Sequence, residues 1–86
     1  MVEIKFIVPT DSFKHDVKKI KDKALKERLQ TQIQKVAEKP DFGKTLRHAL
    51  KGEWSVRINP YRLIYKVEGD KLILLRFEHR KEVYHG

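Results

Sequence analysis

The sequence predicts an α+β domain with the element order β-α-α-β-β-β, in which a helix hairpin packs on one face of a four-stranded, mostly antiparallel sheet. Two observations predict this fold. One alternating segment is followed by two amphipathic helical segments, and three alternating segments separated by turn residues then close the chain. Because 86 residues leave room for a single core, residues 1–86 are expected to form one domain.

The first segment alternates between apolar and charged residues. From Val2 to Val8 the apolar positions share one parity, with Glu3 and Lys5 between them. This spacing predicts a half-buried strand. Pro9 is expected to end it.

The first helix is predicted over Phe13 to Lys21, where apolar residues recur at helical spacing. Thr10, Asp11 or Ser12 can supply its N-cap, because each side chain carries an oxygen that accepts a backbone N–H. The two helical segments are expected to form a hairpin whose apolar stripes cover the sheet.

The second helix is predicted to begin after Asp22, which is a favourable N-cap residue, and to end at Lys39. Pro40 sets the end, because the residue before a proline is disfavoured in the α conformation. A connector from Asp41 to Gly52 follows.

The last third of the chain predicts a three-stranded meander with turns at Asn59-Pro60 and Gly69-Asp70. The three strands are Trp54 to Ile58, Tyr61 to Glu68 and Lys71 to His79.

Strict alternation divides the last strand between two faces. One face takes Ile73, Leu75 and Phe77, and the other takes Leu72, Leu74, Arg76 and Glu78. Leu72 and Leu74 then form either an exposed apolar strip for a partner or an ordinary buried strip. Both possibilities are compatible with the sequence.

The composition is strongly basic, with 20 Lys and Arg against 12 Asp and Glu and a net charge of +8. This balance favours a polyanionic partner such as RNA, DNA or the ribosome. A membrane surface, an acidic protein or a merely solvated basic face are the alternatives.

The chain has no cysteine, which excludes disulfides, a thiol nucleophile and thiolate metal ligands. It has no apolar run of the roughly 18–20 residues that cross a bilayer, and its start lacks the long apolar stretch of a signal peptide. A cytoplasmic protein without membrane contact is expected.

Four segments of the second half carry a family resemblance. They read LRHALKG from Leu46 to Gly52, WSVRI from Trp54 to Ile58, PYRLIY from Pro60 to Tyr65 and HRKEVY from His79 to Tyr84. With the strand and helix hairpin before them, they make nearly the whole chain resemble the RelE/ParE toxin superfamily. The most specific part is the C-terminal third.

The resemblance implies the toxin of a type II toxin–antitoxin system. RelE-like members enter the ribosomal A site and cut mRNA there without a metal or other cofactor. A RelB-like antitoxin neutralises them by wrapping an extended C-terminal segment around the toxin. A heterotetramer that binds operator DNA through the antitoxin is a further implied assembly.

A ribosome-dependent endoribonuclease is therefore the primary expectation from the sequence. ParE-like members share the fold but poison DNA gyrase, which gives a second reading. A catalytically inactive homologue that only binds antitoxin or RNA is the third.

The resemblance also implies roles for individual residues. Arg57 corresponds to a phosphate-orienting cation and Arg62 to the arginine that stabilises the transition state. Arg80 corresponds to the cation near the leaving group, and Tyr84 to an aromatic residue that positions the nucleotide. These residue types suit the reaction, because guanidinium groups bind phosphate in a bidentate manner and a phenol ring stacks on a base.

The general base departs from the family pattern, since Ser55 stands where the best-known member has a lysine. Serine needs an activator of its own before it can accept a proton. His79, Lys44 and Lys51 are the candidates for this role, because histidine and lysine side chains can exchange protons in active sites. Catalysis by positioning and charge stabilisation alone, helped by the ribosome, is the other possibility.

Four further cations are candidate contacts to the RNA backbone. They are Lys18 of the first helix and Lys44, Arg47 and Lys51 of the connector. For Lys18 a solvated helix face is the competing interpretation.

Overall fold

The structure is a computed structural model that describes residues 3–40, 44–45 and 52–79. Within these ranges the chain forms two helices and five strands. In chain order they are β1 Phe6–Pro9, α1 Asp11–Lys18, α2 Lys23–Glu38, β2 Lys44–Thr45, β3 Trp54–Ile58, β4 Tyr61–Glu68 and β5 Lys71–His79. The predicted α+β fold is confirmed, with the two-residue β2 added at one edge of the sheet.

The sheet has the strand order β1-β5-β4-β3-β2. β1 runs parallel to β5, and the other neighbouring strands are antiparallel. The three meander strands begin and end at the predicted residues. The turn between β4 and β5 uses Gly69 at a φ of 61°, a left-handed conformation that glycine adopts without steric cost.

Both helices begin at a capping side chain. The Thr10 hydroxyl accepts a hydrogen bond from the Phe13 N–H at 3.2 Å, and an Asp22 carboxylate oxygen accepts one from the Leu25 N–H at 3.2 Å. α1 starts two residues before the predicted position and ends at Lys18 rather than at residue 21. The earlier end leaves room for the chain to reverse before Asp22 caps α2.

A single apolar core lies between the helices and one face of the sheet. Its buried members come from both helices, the segment that joins them and the three long strands: Phe13, Ile20, Leu25, Leu29, Val36, Val56, Ile58, Leu63, Tyr65, Leu72, Leu74 and Phe77. The Tyr65 hydroxyl donates a buried hydrogen bond of 2.9 Å to the Pro40 carbonyl oxygen, which ties β4 to the end of α2.

A β-bulge in β5 overturns the strict alternation predicted there. Tyr65 of β4 pairs with Leu74, and the preceding residue of β4 pairs with Arg76, so Leu75 is an extra residue. The bulge shifts the parity by one position. Leu72 and Leu74 therefore join Phe77 in the core, with exposures of 0% and 2%, and the predicted alternative of an exposed partner-binding strip is wrong.

β1 is shorter and more exposed than the sequence predicted. Phe6, Ile7 and Val8 are 55%, 42% and 39% exposed, instead of alternating between core and solvent. The reason is its place at the edge of the sheet, where it has β5 on one side. In the described part of the chain, no helix is long and apolar enough to span a bilayer.

Thr10, the N-cap of α1, and Asp16 within the helix both bind backbone groups of β5. The Thr10 hydroxyl lies 2.9 Å and 3.1 Å from the carbonyl oxygens of Leu74 and Leu75, at the end of the β1–β5 pairing. Farther along β5, a carboxylate oxygen of Asp16 accepts a 3.0 Å hydrogen bond from the Phe77 N–H. These contacts satisfy backbone groups of β5 beyond its pairing with β1.

Candidate functional site

Arg57 and Arg62 lie directly opposite each other on β3 and β4. Their neighbours Val56 and Leu63 are buried in the core, so strand alternation directs both arginines to the face away from the helices. Arg57 is exposed and Arg62 is half-buried. The structure therefore brings together two of the arginines that the sequence singled out.

A third arginine binds two carboxylates at this sheet, one of which lies opposite Arg62. Glu78 is the β5 residue opposite Arg62, yet its carboxylate accepts a 2.7 Å hydrogen bond from Arg76 Nε. Arg76 also donates a 3.0 Å hydrogen bond through Nη2 to the Glu53 carboxylate. Both hydrogen bonds are charge-assisted, so the Arg76 guanidinium binds two carboxylates at the same time.

The Arg57 and Arg62 side chains remain available for an anion. Within the described residues, neither forms a hydrogen bond or an ion pair. Two guanidinium groups side by side on one face create a positive potential and offer planar donor pairs that match phosphate oxygens. The surface defined by these two residues is called the arginine pair below.

Ser55 lies two residues before Arg57 on the same strand and therefore on the same face. It is paired on one side with Ile64, which is only 1% exposed although it is on the face away from the core. On its other side, the Ser55 backbone pairs with Lys44 of β2. Of the candidate bases, Lys44 is thus placed next to the serine at the family's lysine position.

His79 lies on the other face of the sheet. It pairs with Tyr61, and the two rings meet edge to face with their centroids 5.0 Å apart. Tyr61 in turn stacks on the core residue Phe77 at 4.7 Å. The predicted grouping of His79 with the arginine pair does not follow from the strand geometry, because successive residues of a strand point to opposite faces.

The remaining candidates are placed differently or not described. Lys18 is exposed at the end of α1, in the helical layer and away from the arginine pair. Four candidates lie outside the described residues: Arg47, Lys51, Arg80 and Tyr84. Among the described side chains, no cluster of three or more His, Asp or Glu groups could hold a metal ion.

Sequence reasoning missed the residues that keep the arginine pair available. Arg76 and Glu78 are two positions apart, so alternation alone places them on one face, and that pairing was readable from the sequence. Glu53 gave no such signal. Glu53 lies just before β3 and Arg76 lies on β5, so their contact reaches across β4. The spacing of the two residues in the sequence does not indicate this contact.

Comparisons with known proteins fit this fold. The family model described as the ParE toxin of the type II toxin–antitoxin system matches residues 7–84. Toxin RelG of Mycobacterium tuberculosis is 39% identical over 44 residues, which span 49% of this chain and 51% of that toxin. The chain thus aligns with about half the length of this relative.

Two solved structures show the same architecture. The toxin–antitoxin complex RelBE2 of Mycobacterium tuberculosis contains a chain with a TM-score of 0.74 and 28% identity, and the match covers 93% of this chain and 94% of that one. The ParDE system of P. aeruginosa gives a TM-score of 0.70 at 18% identity, over 90% and 96% of the two chains. Because the family model spans residues 7–84 of an 86-residue chain, this protein belongs to the ParE toxin family of type II toxin–antitoxin systems, within the RelE/ParE superfamily.

Proposed function

We propose that this toxin is a ribosome-dependent endoribonuclease that cleaves mRNA in the A site and so arrests translation. The observation that supports this most directly is the arginine pair, Arg57 opposite Arg62, with the neighbouring Glu78 held by Arg76. Two cations that have no carboxylate partner in the described part of the chain suit a phosphate group that gains negative charge during a reaction.

The proposed reaction uses the RNA as its own nucleophile. The ribose 2′-oxygen attacks the adjacent phosphorus and forms a new O–P bond, while its proton passes to a general base. The bond between phosphorus and the 5′-oxygen of the next nucleotide breaks, and that oxygen takes a proton from a general acid. The products are a 2′,3′-cyclic phosphate and a 5′-hydroxyl, so atoms and charge balance.

Arg62 is assigned to the phosphorane oxygens, where charge develops, and Arg57 to orienting the phosphate. The half-buried position of Arg62 supports this division, because charge–charge attraction grows as water is excluded. From their positions in the motif, Arg80 is assigned to the leaving oxygen and Tyr84 to stacking on the base.

Lys44 is the general base in this proposal. Its backbone pairs with Ser55, which stands at the position of the family lysine, on the edge of the sheet next to the strand of Arg57. A lysine side chain accepts a proton in its neutral form, which is the chemistry that this role requires. Lys51 is the second candidate, and His79 is less well placed because it lies across the sheet.

The proposed partners are the ribosome with its mRNA, and a cognate antitoxin. The net charge of +8 favours association with ribosomal RNA, to which Arg47, Lys51 and Lys18 would add contacts. The RelBE2 structure named above is a toxin–antitoxin complex, which supports a RelB-like partner here as well. A heterotetramer bound to operator DNA through the antitoxin, in the cytoplasm, completes the proposed assembly.

The experiment adds purified toxin to ribosomes stalled on a defined mRNA and maps the new RNA ends by primer extension. Cuts at the A-site codon, with 2′,3′-cyclic phosphate ends and none on free mRNA, are expected. A toxin that inhibits growth but leaves the mRNA intact on the ribosome would refute the proposal.

Poisoning of DNA gyrase is a second candidate, favoured by the match to the ParE toxin family. It predicts gyrase-dependent breaks in supercoiled DNA and DNA-damage signalling, with intact mRNA. Running the gyrase assay beside the ribosome assay separates the two activities.

A further inference from the structure

A recess of about 380 Å³ opens between α2 and the end of β3. Arg28, Thr31 and Gln32 line it from the helix, and Arg57 and Ile58 line it from the strand. Arg57 therefore lines the recess and is also one member of the arginine pair, which lies on the sheet face away from the helices.

The polar side chains that line the recess from α2 are spaced at about one helical turn. Arg28 and Gln32 are one helical turn apart and therefore share a face of α2. The Thr31 hydroxyl donates a 3.1 Å hydrogen bond to the Glu27 carbonyl oxygen, one turn earlier. Within the described residues, Arg28 makes no ion pair, so its guanidinium can bind a ligand.

Gln32 adds an unsatisfied polar atom. Its side-chain oxygen Oε1 is buried and has no hydrogen-bond partner within the described part of the chain. A buried acceptor without a donor is unfavourable, so a ligand that supplies an O–H group would be stabilised there. The terminal amide torsion is soft, which lets this oxygen turn toward a donor in the recess.

The charges in the recess are mixed. Glu27 also lines it, so two arginines and one carboxylate give a formal charge of 2 − 1 = +1. Glu27 lines the neighbouring groove between the helices too, beside Lys23 and Lys26. Glu27 therefore lies between the recess and this groove. The two arginines line the recess from different elements, Arg28 from α2 and Arg57 from β3.

We propose that this recess is an RNA subsite next to the scissile phosphate, in which Arg28 binds one backbone phosphate and Gln32 accepts a hydrogen bond from the adjoining ribose 2′-hydroxyl. This inference rests on the proposed function, because it extends the path of the cleaved strand from the arginine pair to α2. The 2′-hydroxyl is the donor that DNA lacks, so the subsite would distinguish RNA from DNA.

The test measures binding of the free toxin to a short single-stranded RNA and to DNA of the same sequence, by fluorescence anisotropy at several salt concentrations. Arg28→Ala should weaken RNA binding by about three- to tenfold and lower the salt slope by about 0.7, the value for one phosphate contact on a single strand. Gln32→Leu should weaken RNA binding but leave DNA binding unchanged.

Lys26→Ala is the matched control. It removes one positive charge from the same helix but lines the other groove. Its effect should stay below about twofold, since it loses only long-range attraction. Glu27→Gln should strengthen binding of both nucleic acids, because it removes the carboxylate at the boundary of the recess.

Equal losses in Arg28→Ala and Lys26→Ala would overturn the inference, because binding would then depend on diffuse charge. So would equal affinity for RNA and DNA combined with no effect of Gln32→Leu, or no binding of RNA at all. Cleavage of mRNA on the ribosome tests the proposed function separately. An Arg28→Ala toxin that cuts mRNA and binds RNA like the wild type would refute this subsite alone.

Discussion

Arg57 and Arg62 are cross-strand partners, so two like charges occupy adjacent positions on one face of the sheet. Like charges directly opposite in an antiparallel pair destabilise the sheet, by up to about 1 kcal/mol. Functional sites commonly carry such a cost when the ligand supplies the opposite charge. In the proposed function, that charge comes from the scissile phosphate.

Removing one charge of the pair should therefore stabilise the free protein while impairing its function. We expect Arg57→Gln to raise the free energy of unfolding by up to about 1 kcal/mol at low salt. The gain should shrink as salt screens the repulsion. Urea denaturation at two salt concentrations measures it.

Lys19→Gln is the control for this prediction, since it removes the same charge from an exposed residue just beyond α1. Its effect should lie within about 0.5 kcal/mol. An equal gain in both variants would mean that general charge repulsion, and not the arginine pair, is being relieved.

Arg76 should support activity without contacting the RNA. We expect Arg76→Met to release Glu78, which can then pair with Arg62, its neighbour across the strands. Cleavage should slow by up to about fivefold, the rate equivalent of the roughly 1 kcal/mol that a partly exposed ion pair is worth.

The double variant Arg76→Met with Glu78→Gln provides the decisive comparison, because it removes the released carboxylate. Cleavage by this variant should return toward the wild-type rate. If the double variant is as slow as Arg76→Met, Arg76 acts through something other than Glu78.

Asp16 should contribute to stability rather than to RNA binding. Asp16→Ala leaves the Phe77 N–H on β5 without its side-chain partner, so we expect the free energy of unfolding to fall by about 1–3 kcal/mol. Asp16→Asn keeps an accepting oxygen and should lose less. Equal stability of all three proteins would show that water replaces this bond at no cost.

The assignment of the general base can be tested by exchanging Lys44. Lys44→Ala and Lys44→Arg should both slow cleavage by about 10²-fold or more, because arginine keeps the charge but does not give up its proton. His79→Phe, which preserves an aromatic ring beside Tyr61, should remain within about threefold of the wild type. The opposite pattern would transfer the role to His79.

Alternation and turn residues were enough to predict the meander, whereas the cross-strand pairing of Arg57 with Arg62 required the register of the folded sheet. The bulge at Leu75 was not predictable in this way, because it depends on how β5 pairs with β4 rather than on a local preference. The exposure of Phe6 likewise follows from the edge position of β1, which depends on the order of strands in the sheet.

The candidate site was likewise only partly predictable from the sequence. Arg57 and Arg62 came from local sequence and family resemblance, whereas the contacts of Arg76 with Glu53 and Glu78 required the folded sheet. The roles of Arg80 and Tyr84 stay predictions, since both lie outside the described residues.

In the proposed function, Arg62 stabilises the charge of the transition state in mRNA cleavage. The most direct measurement is the single-turnover rate on ribosome-bound mRNA for the wild type, Arg62→Ala and the exposed-charge control Lys19→Ala. We expect a rate about 10²–10³-fold lower for Arg62→Ala and an unchanged rate for the control. A folded Arg62→Ala protein that cleaves within about twofold of the wild-type rate would contradict it.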